Sequence, residues 1–224
     1  MTFFAAAALI APLRAAAWTG NPPACAYADV LTLHRSYADW ARTLLDARYM
    51  VPRTYAPADL VPVSRAGISG SGYVRGIAIV DLRAMTAAAE SAGASLAVQS
   101  AYRSYASQVS TFNYWVSVSG YAAALKASAR PGHSEHQLGT TIDFKSYGGS
   151  APWNYTNWAT TRVGAWMLAN AWRYGWVMSY PKATSPSQTC YQYEPWHFRY
   201  LGRVEAKALH DAAISPRFYL WRLQ

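Results

Sequence analysis

The chain has 224 residues, 52% hydrophobic and only 14% charged, which excludes a disordered segment, a coiled coil and a collagen-like fibre. The formal net charge is +9, and 16 of the 20 basic residues are arginine, so the surface attracts anions. No zinc-finger spacing, RNP-like run or dense Lys/Arg block points to nucleic acid, and no apolar run reaches the roughly 18–20 residues of a membrane span.

Residues 1–17 read as a signal peptide or an N-terminal apolar segment: a short alanine-rich stretch ends in Ala15-Ala16-Ala17, where a signal peptidase would cut, although no Lys or Arg precedes it. Residues 18–224 form one domain, with no internal repeat and no low-complexity linker. Export to the bacterial envelope is the expected localisation. The two cysteines, Cys25 and Cys190, exclude a four-cysteine zinc site and a Cys-x-x-Cys redox motif. They are either two buried thiols or one disulfide, which in an oxidising compartment stabilises by up to about 5 kcal/mol.

In chain order, residues 18–26 are an irregular lead and 28–45 a helical or mixed segment. The prolines of 50–63 suit an extended stretch laid over the domain, and 67–72 (GISGSG) is a flexible turn. A helix is predicted over 74–92, with Ile77, Leu82, Met85 and Ala89 inward and Gly93 as its cap. A strand follows at 95–100, then a helix capped by Ser104 and running to about 118, with Phe112, Trp115 and Val116 as its buried stripe. A short helix at 122–129 stops at Arg130-Pro131-Gly132.

Residues 140–144 (TTIDF) alternate as a strand with Thr141 and Asp143 on one face and Ile142 and Phe144 on the other. Beyond it come a helix at 160–172, a strand at 176–180, a polar loop at 182–189, an aromatic strand at 196–200 and a closing helix at 204–213. Helices interleaved with short strands predict an α+β domain whose small, mainly antiparallel sheet is flanked by helices and carries the functional site.

Charge otherwise avoids these segments, yet HSEHQLGTTID at 133–143 and EPWH at 194–197 concentrate histidines and carboxylates. His136, Asp143 and His197 supply the two-nitrogen, one-oxygen set of a catalytic zinc ion, one per chain, with a fourth position for water. Glu194, three residues before a ligand, is placed to take that water's proton, provided that the chain bends at Pro195 so that residues 194 and 197 converge. Taken singly, each of these residues also has an ordinary structural reading, as a paired strand acid or a packed histidine.

The order Ser100-Ala101-Tyr102-Arg103-Ser104 with Gln108, then Ser134-x-His136-x-x-Gly139-x-x-x-Asp143, then Glu194-x-x-His197 within Glu-Pro-Trp-His-Phe-Arg-Tyr, resembles the VanY-like D-alanyl-D-alanine carboxypeptidases, a family of zinc peptidases. The resemblance implies zinc on His136, Asp143 and His197, Glu194 as general base and acid, Arg103 as stabiliser of the oxyanion, and Gln108 and Ser134 lining the substrate pocket. One departure is Thr141, where relatives often carry alanine. Ser179-x-x-Lys182 fits the serine D,D-peptidase pattern, but Pro181 and the missing S-D-N and K-T-G partners argue against it.

The expected activity is release of terminal D-Ala from peptidoglycan stem peptides by a secreted monomer working on an anionic cell wall. An L,D-carboxypeptidase and a peptidoglycan endopeptidase would use the same zinc centre. A wall-binding module that keeps zinc as a structural ion is the alternative of another class, and Glu194 argues against it, because a structural site needs no base.

Overall fold

The computed structural model describes residues 20–182 and 189–224. The N-terminal segment at 1–17 and most of the polar loop at 182–189 lie outside the described residues.

Four strands form the main sheet: β5 (Leu96–Ser100), β6 (Thr141–Ser146), β7 (Trp176–Met178) and β8 (His197–Tyr200), in the antiparallel order β5-β6-β8-β7. Two small ribbons lie outside it. The strands β1 (Val30–Leu31) and β2 (Tyr49–Met50) pair in parallel, and β3 (Leu60–Pro62) pairs antiparallel with β4 (Tyr73–Arg75). The helices are α1 (Ile79–Ser91), α2 (Tyr105–Ser119), α3 (Tyr121–Ala127), α4 (Arg162–Asn170), α5 (Arg203–Ala212) and α6 (Pro216–Trp221). The α+β class with a small antiparallel sheet is therefore observed.

Strand alternation sorts the sheet into two chemistries. Val98 opposes Phe144, and Ile142 opposes Phe198, which in turn opposes Met178. These apolar residues join Leu82, Met85, Trp158, Met167 and Trp176 in the principal core beneath α1 and α4. The intervening positions, Ser100, Thr141, Asp143, His197 and Arg199, share the other face, because directly opposed residues in an antiparallel pair lie side by side. A second apolar cluster, with Leu44, Val177, Leu201, Leu209 and Leu220, packs α5 and α6 onto the β7 edge.

The helix predicted over 74–92 begins only at Ile79: residues 73–75 pair with β3, and a 3-10 turn at Gly76–Ala78 intervenes. Ile77, expected inside, is consequently 44% exposed, while Leu82, Met85 and Ala89 are fully buried. In α2 the Ser104 hydroxyl caps the helix by accepting from Ser107 N, and Phe112 is buried, but Trp115 and Val116 stay partly open. Segment 28–45 contains β1 and a 3-10 turn at Tyr37–Asp39 rather than an α-helix; Ser36 and Asp39 bond each other there and satisfy the backbone locally. The closing helix is followed by α6, started by the Ser215 cap and Pro216.

The cysteines are joined: Cys25–Cys190 closes a sequence separation of 165 residues. Among the described residues no helix is long and apolar enough to cross a membrane.

Candidate active site

Local geometry explains why the HSEHQLG segment delivers a histidine to the sheet. Residues Glu135–Leu138 form a 3-10 turn that ends at Gly139 with φ 71°, the left-handed region. A Cβ at this position would lie 2.9 Å from Leu60 Cδ2 and 3.0 Å from Arg75 Cγ, so a larger residue would have to displace those side chains as well as adopt a strained backbone. The turn sets His136 beside β6, and its Nδ1 lies 2.7 Å from the Ala101 carbonyl oxygen. Asp143 and His197 are direct cross-strand partners.

These three side chains converge. His136 Nε2 lies 3.1 Å from Asp143 Oδ2, and His197 Nδ1 lies 3.0 Å from Asp143 Oδ1. Their donor atoms all fall within 4.8 Å of one another, and all three residues are buried. His136 Nε2 and Asp143 Oδ1 nevertheless make no hydrogen bond of proper angle. Buried polar atoms that crowd together without pairing are a costly arrangement unless they share a ligand. Two imidazole nitrogens and one carboxylate fit a divalent ion with an open coordination position.

The bend required at Pro195 is present as a turn in which His197 N donates to Glu194 O at 3.1 Å. It brings Glu194 Oε2 to 3.6 Å from His197 Nδ1. Arg103 follows β5 and reaches the same place, with Nη1 3.8 Å from Asp143 Oδ2 and 2.7 Å from the Ser100 hydroxyl. Ser134, Arg103, Glu194 and the three candidate ligands all line one cavity of about 470 Å³. Gln108 does not. It is fully buried behind Arg103, and its Oε1 accepts from Arg103 Nε at 2.9 Å. Thr141 is buried on the Asp143 face, and its hydroxyl has no partner.

The sequence singled out neither Glu135 nor Tyr180 for the site. The Glu135 carboxylate lies 3.0 Å from His197 Nε2 and accepts from Arg199 Nη1 at 3.0 Å. The ring of Tyr180 sits 4.6 Å from that of His197 on the cavity wall. Trp153 and Trp196 meet edge to face across 6.2 Å at another part of the lining. The signal for Glu135 was its acidic charge between two histidines in a segment that concentrates them; aromatic walls carry no such mark. His133, outside the metal set, instead ties the loop to the chain flanking β1 and β2 through Asp29 Oδ1 and Asp46 O.

Burial and charge act together on every titratable group in the site. Burial pushes the Glu194 carboxyl up to about 7, with the Asp143 and Glu135 charges adding to it and His197 and Arg103 drawing it back. Burial opposes charge on Glu135 too, but the Arg199 guanidinium and His197 hold its pKa down at about 2. Asp143 is likewise held below the usual carboxylate range, since both histidines outweigh its burial. For His197, the adjacent Asp143 and Glu135 carboxylates overcome burial and raise the pKa to about 10, whereas burial and the nearby Arg103 lower His136 to about 4. Ionised Asp143 and Glu135 thus flank a buried imidazole, a field that favours a cation at their centre.

A family profile described as VanY, D-alanyl-D-alanine carboxypeptidase, matches residues 71–203. The chain is 36% identical over 185 residues to the putative carboxypeptidase YodJ of Bacillus subtilis (strain 168), a match covering 81% of this chain and 67% of that protein. Among solved structures it is similar to the LdcB LD-carboxypeptidase, described for its peptidoglycan recognition, at TM-score 0.70 and 34% identity, covering 81% of this chain and 86% of that one. It is also similar to the vancomycin resistance D,D-pentapeptidase VanY of a VanB-type resistance cassette in complex with Zn(II), at TM-score 0.68 and 25% identity, covering 81% and 99%.

Proposed function

The chain belongs to the VanY family of D-alanyl-D-alanine carboxypeptidases, and from that premise we propose that it is a secreted zinc D,D-carboxypeptidase that removes the terminal D-Ala from peptidoglycan stem peptides. The observation that carries this reading is the convergence of His136, Asp143 and His197 at the floor of a cavity that also holds Glu194 and Arg103. The solved Zn(II) complex of a family relative supports zinc as the ion.

His136 Nε2, a carboxylate oxygen of Asp143 and His197 Nδ1 are the atoms that would hold the ion. Bound there, zinc supplies Lewis acidity that polarises a carbonyl and acidifies a water. The rest is done by the chain. A Glu194 carboxyl poised near neutrality accepts a proton from the attacking water and returns it to the departing amine. The Arg103 guanidinium, fixed by Ser100 and Gln108, stabilises negative charge developing on the scissile carbonyl oxygen. Ser134 contributes a hydroxyl to the wall on which the peptide lies. Residues 18–224 act as one domain and one monomer with one zinc ion.

The Cys25–Cys190 disulfide favours an oxidising compartment, consistent with export. A net charge of +9 suits a substrate embedded in an anionic wall. The likeness to LdcB favours a second reading, an L,D-carboxypeptidase acting on tetrapeptide stems. Incubation with stem pentapeptide, stem tetrapeptide and cross-linked dimer, with and without chelator and added Zn²⁺, separates these by mass spectrometry. Chelator-sensitive loss of one alanine from the pentapeptide is the expected result. Loss from the tetrapeptide alone assigns L,D specificity, cleavage of the dimer assigns an endopeptidase, and inert zinc-loaded protein leaves a binding module.

A further inference from the structure

We propose that Glu135 is a positioning residue that acts through His197, fixing the imidazole so that Nε2 keeps the proton and Nδ1 faces the metal set. The inference rests on the metal-centre reading above. The Glu135 carboxylate sits 3.0 Å from His197 Nε2 and engages that nitrogen, which turns the opposite edge of the ring toward the metal set. The opposite nitrogen, Nδ1, is left 3.0 Å from Asp143 Oδ1 and 3.6 Å from Glu194 Oε2.

Glu135 is itself held rigidly. Its second oxygen accepts from Arg199 Nη1 at 3.0 Å, and Arg199 Nη2 donates to the Trp40 carbonyl at 2.7 Å. Arg199 lies two residues beyond His197 on β8, so one strand face presents both partners of the carboxylate. All three side chains are buried, with Glu135 only 3% exposed. A buried ion pair of this kind adds little net stability over apolar residues of the same volume, so stability alone is a poor account of it. Orientation is a better one. His136 has the complementary arrangement, its Nδ1 against the Ala101 carbonyl and its Nε2 turned to the set. Each histidine is therefore pinned through the nitrogen that the ion does not use.

Two measurements test the assignment. In the zinc-loaded wild-type protein, ¹⁵N histidine spectra are expected to show His197 bonded to zinc through Nδ1 with hydrogen on Nε2. In Glu135→Gln, competition against a chromophoric chelator is expected to show zinc binding weakened about 10- to 100-fold, with the metal-free variant folded by circular dichroism and Glu135→Asp recovering part of the loss. Zinc ligation through Nε2, or zinc binding by folded Glu135→Gln equal to wild type, overturns the proposal. Should Glu135→Gln not fold, the wild-type spectrum still decides it. Failure of the wild-type protein to bind zinc at all overturns the metal-centre reading as well, and is distinguishable because it is seen before any substitution.

Discussion

Arg103 hangs from Gln108: the guanidinium Nε donates to Gln108 Oε1 at 2.9 Å, and the Gln108 amide donates onward to the Ala129 carbonyl at 2.7 Å. Gln108 sits one helical turn into α2 and is fully buried, so a rigid helix sets where the charge in the cavity lies. Truncation in Gln108→Ala frees that side chain. Because a misplacement of about 1 Å at a reacting centre costs about 10²-fold, kcat on the preferred stem peptide is expected to fall by about that factor. Steady-state kinetics on the folded variant check this, and an unchanged kcat would remove Gln108 from any positioning role.

Glu194 is the group whose loss separates metal binding from catalysis. It lies beside the metal set without belonging to it. Glu194→Gln is expected to retain zinc with wild-type stoichiometry by atomic absorption while losing about 10²- to 10⁴-fold in turnover, the range for removal of a general base. Retained hydrolysis would place the proton transfer on another group.

Why some of this was readable from sequence and some was not follows from the range of the interactions. The face that Asp143 shares with Thr141 follows from strand alternation, and the Glu194 bend follows from Pro195, because both are properties of neighbouring residues, whereas the pairing of Asp143 with His197 is made across two strands. The late start of α1 was hidden, since Val74 looks equally apolar in a helix or in a strand, and only pairing with Val61 decides between them. Glu135 and Arg199 are 64 residues apart, and nothing local in either segment announces their pairing. The small α6 was signalled by Ser215-Pro216, a cap followed by a helix-opening proline, and six residues are few enough to be taken for a tail.

Metal removal is expected to cost stability as well as activity. With three buried ligand atoms crowded and incompletely paired, the metal-free fold loses whatever the ion contributes. A ligand held at about 1,000 times its Kd stabilises by about 4 kcal/mol. Thermal unfolding with excess chelator is therefore expected at a lower Tm than in micromolar Zn²⁺, and re-addition of Zn²⁺ should restore both Tm and hydrolysis. Equal Tm values in the two conditions would argue that no ion is held at this site.

The disulfide joins the N-terminal lead to Cys190, four residues before Glu194, so it fastens the strand-to-strand loop that carries the proposed base. Closing a loop of 165 residues is worth about 5 kcal/mol in the chain-entropy account. The Cys25→Ser/Cys190→Ser double variant is expected to unfold at markedly lower urea concentration. Its residual activity, measured where it is still folded, should also fall if the tether helps to hold Glu194. Unchanged urea midpoints would mean that the N-terminal lead is secured by its polar contacts alone.

Those contacts meet at Asp46, which accepts from Arg217 Nε at 2.7 Å and from the backbone N–H groups of Arg48 and Tyr49 at 2.8 and 2.9 Å. Asp46 and Arg217 are both buried, and Arg217 also donates to the Pro23 carbonyl, so α6, the N-terminal lead and the turn before β2 share one charged junction. Removing only the acid takes its carboxylate away from the buried Arg217 guanidinium, a change that costs about 3–5 kcal/mol. Asp46→Leu is therefore expected to destabilise strongly in urea unfolding. The double variant Asp46→Leu/Arg217→Met, which removes both charges, is expected to regain a large part of that loss. If the double variant is no more stable than Asp46→Leu, the backbone hydrogen bonds to Asp46, rather than its charge, hold the junction together.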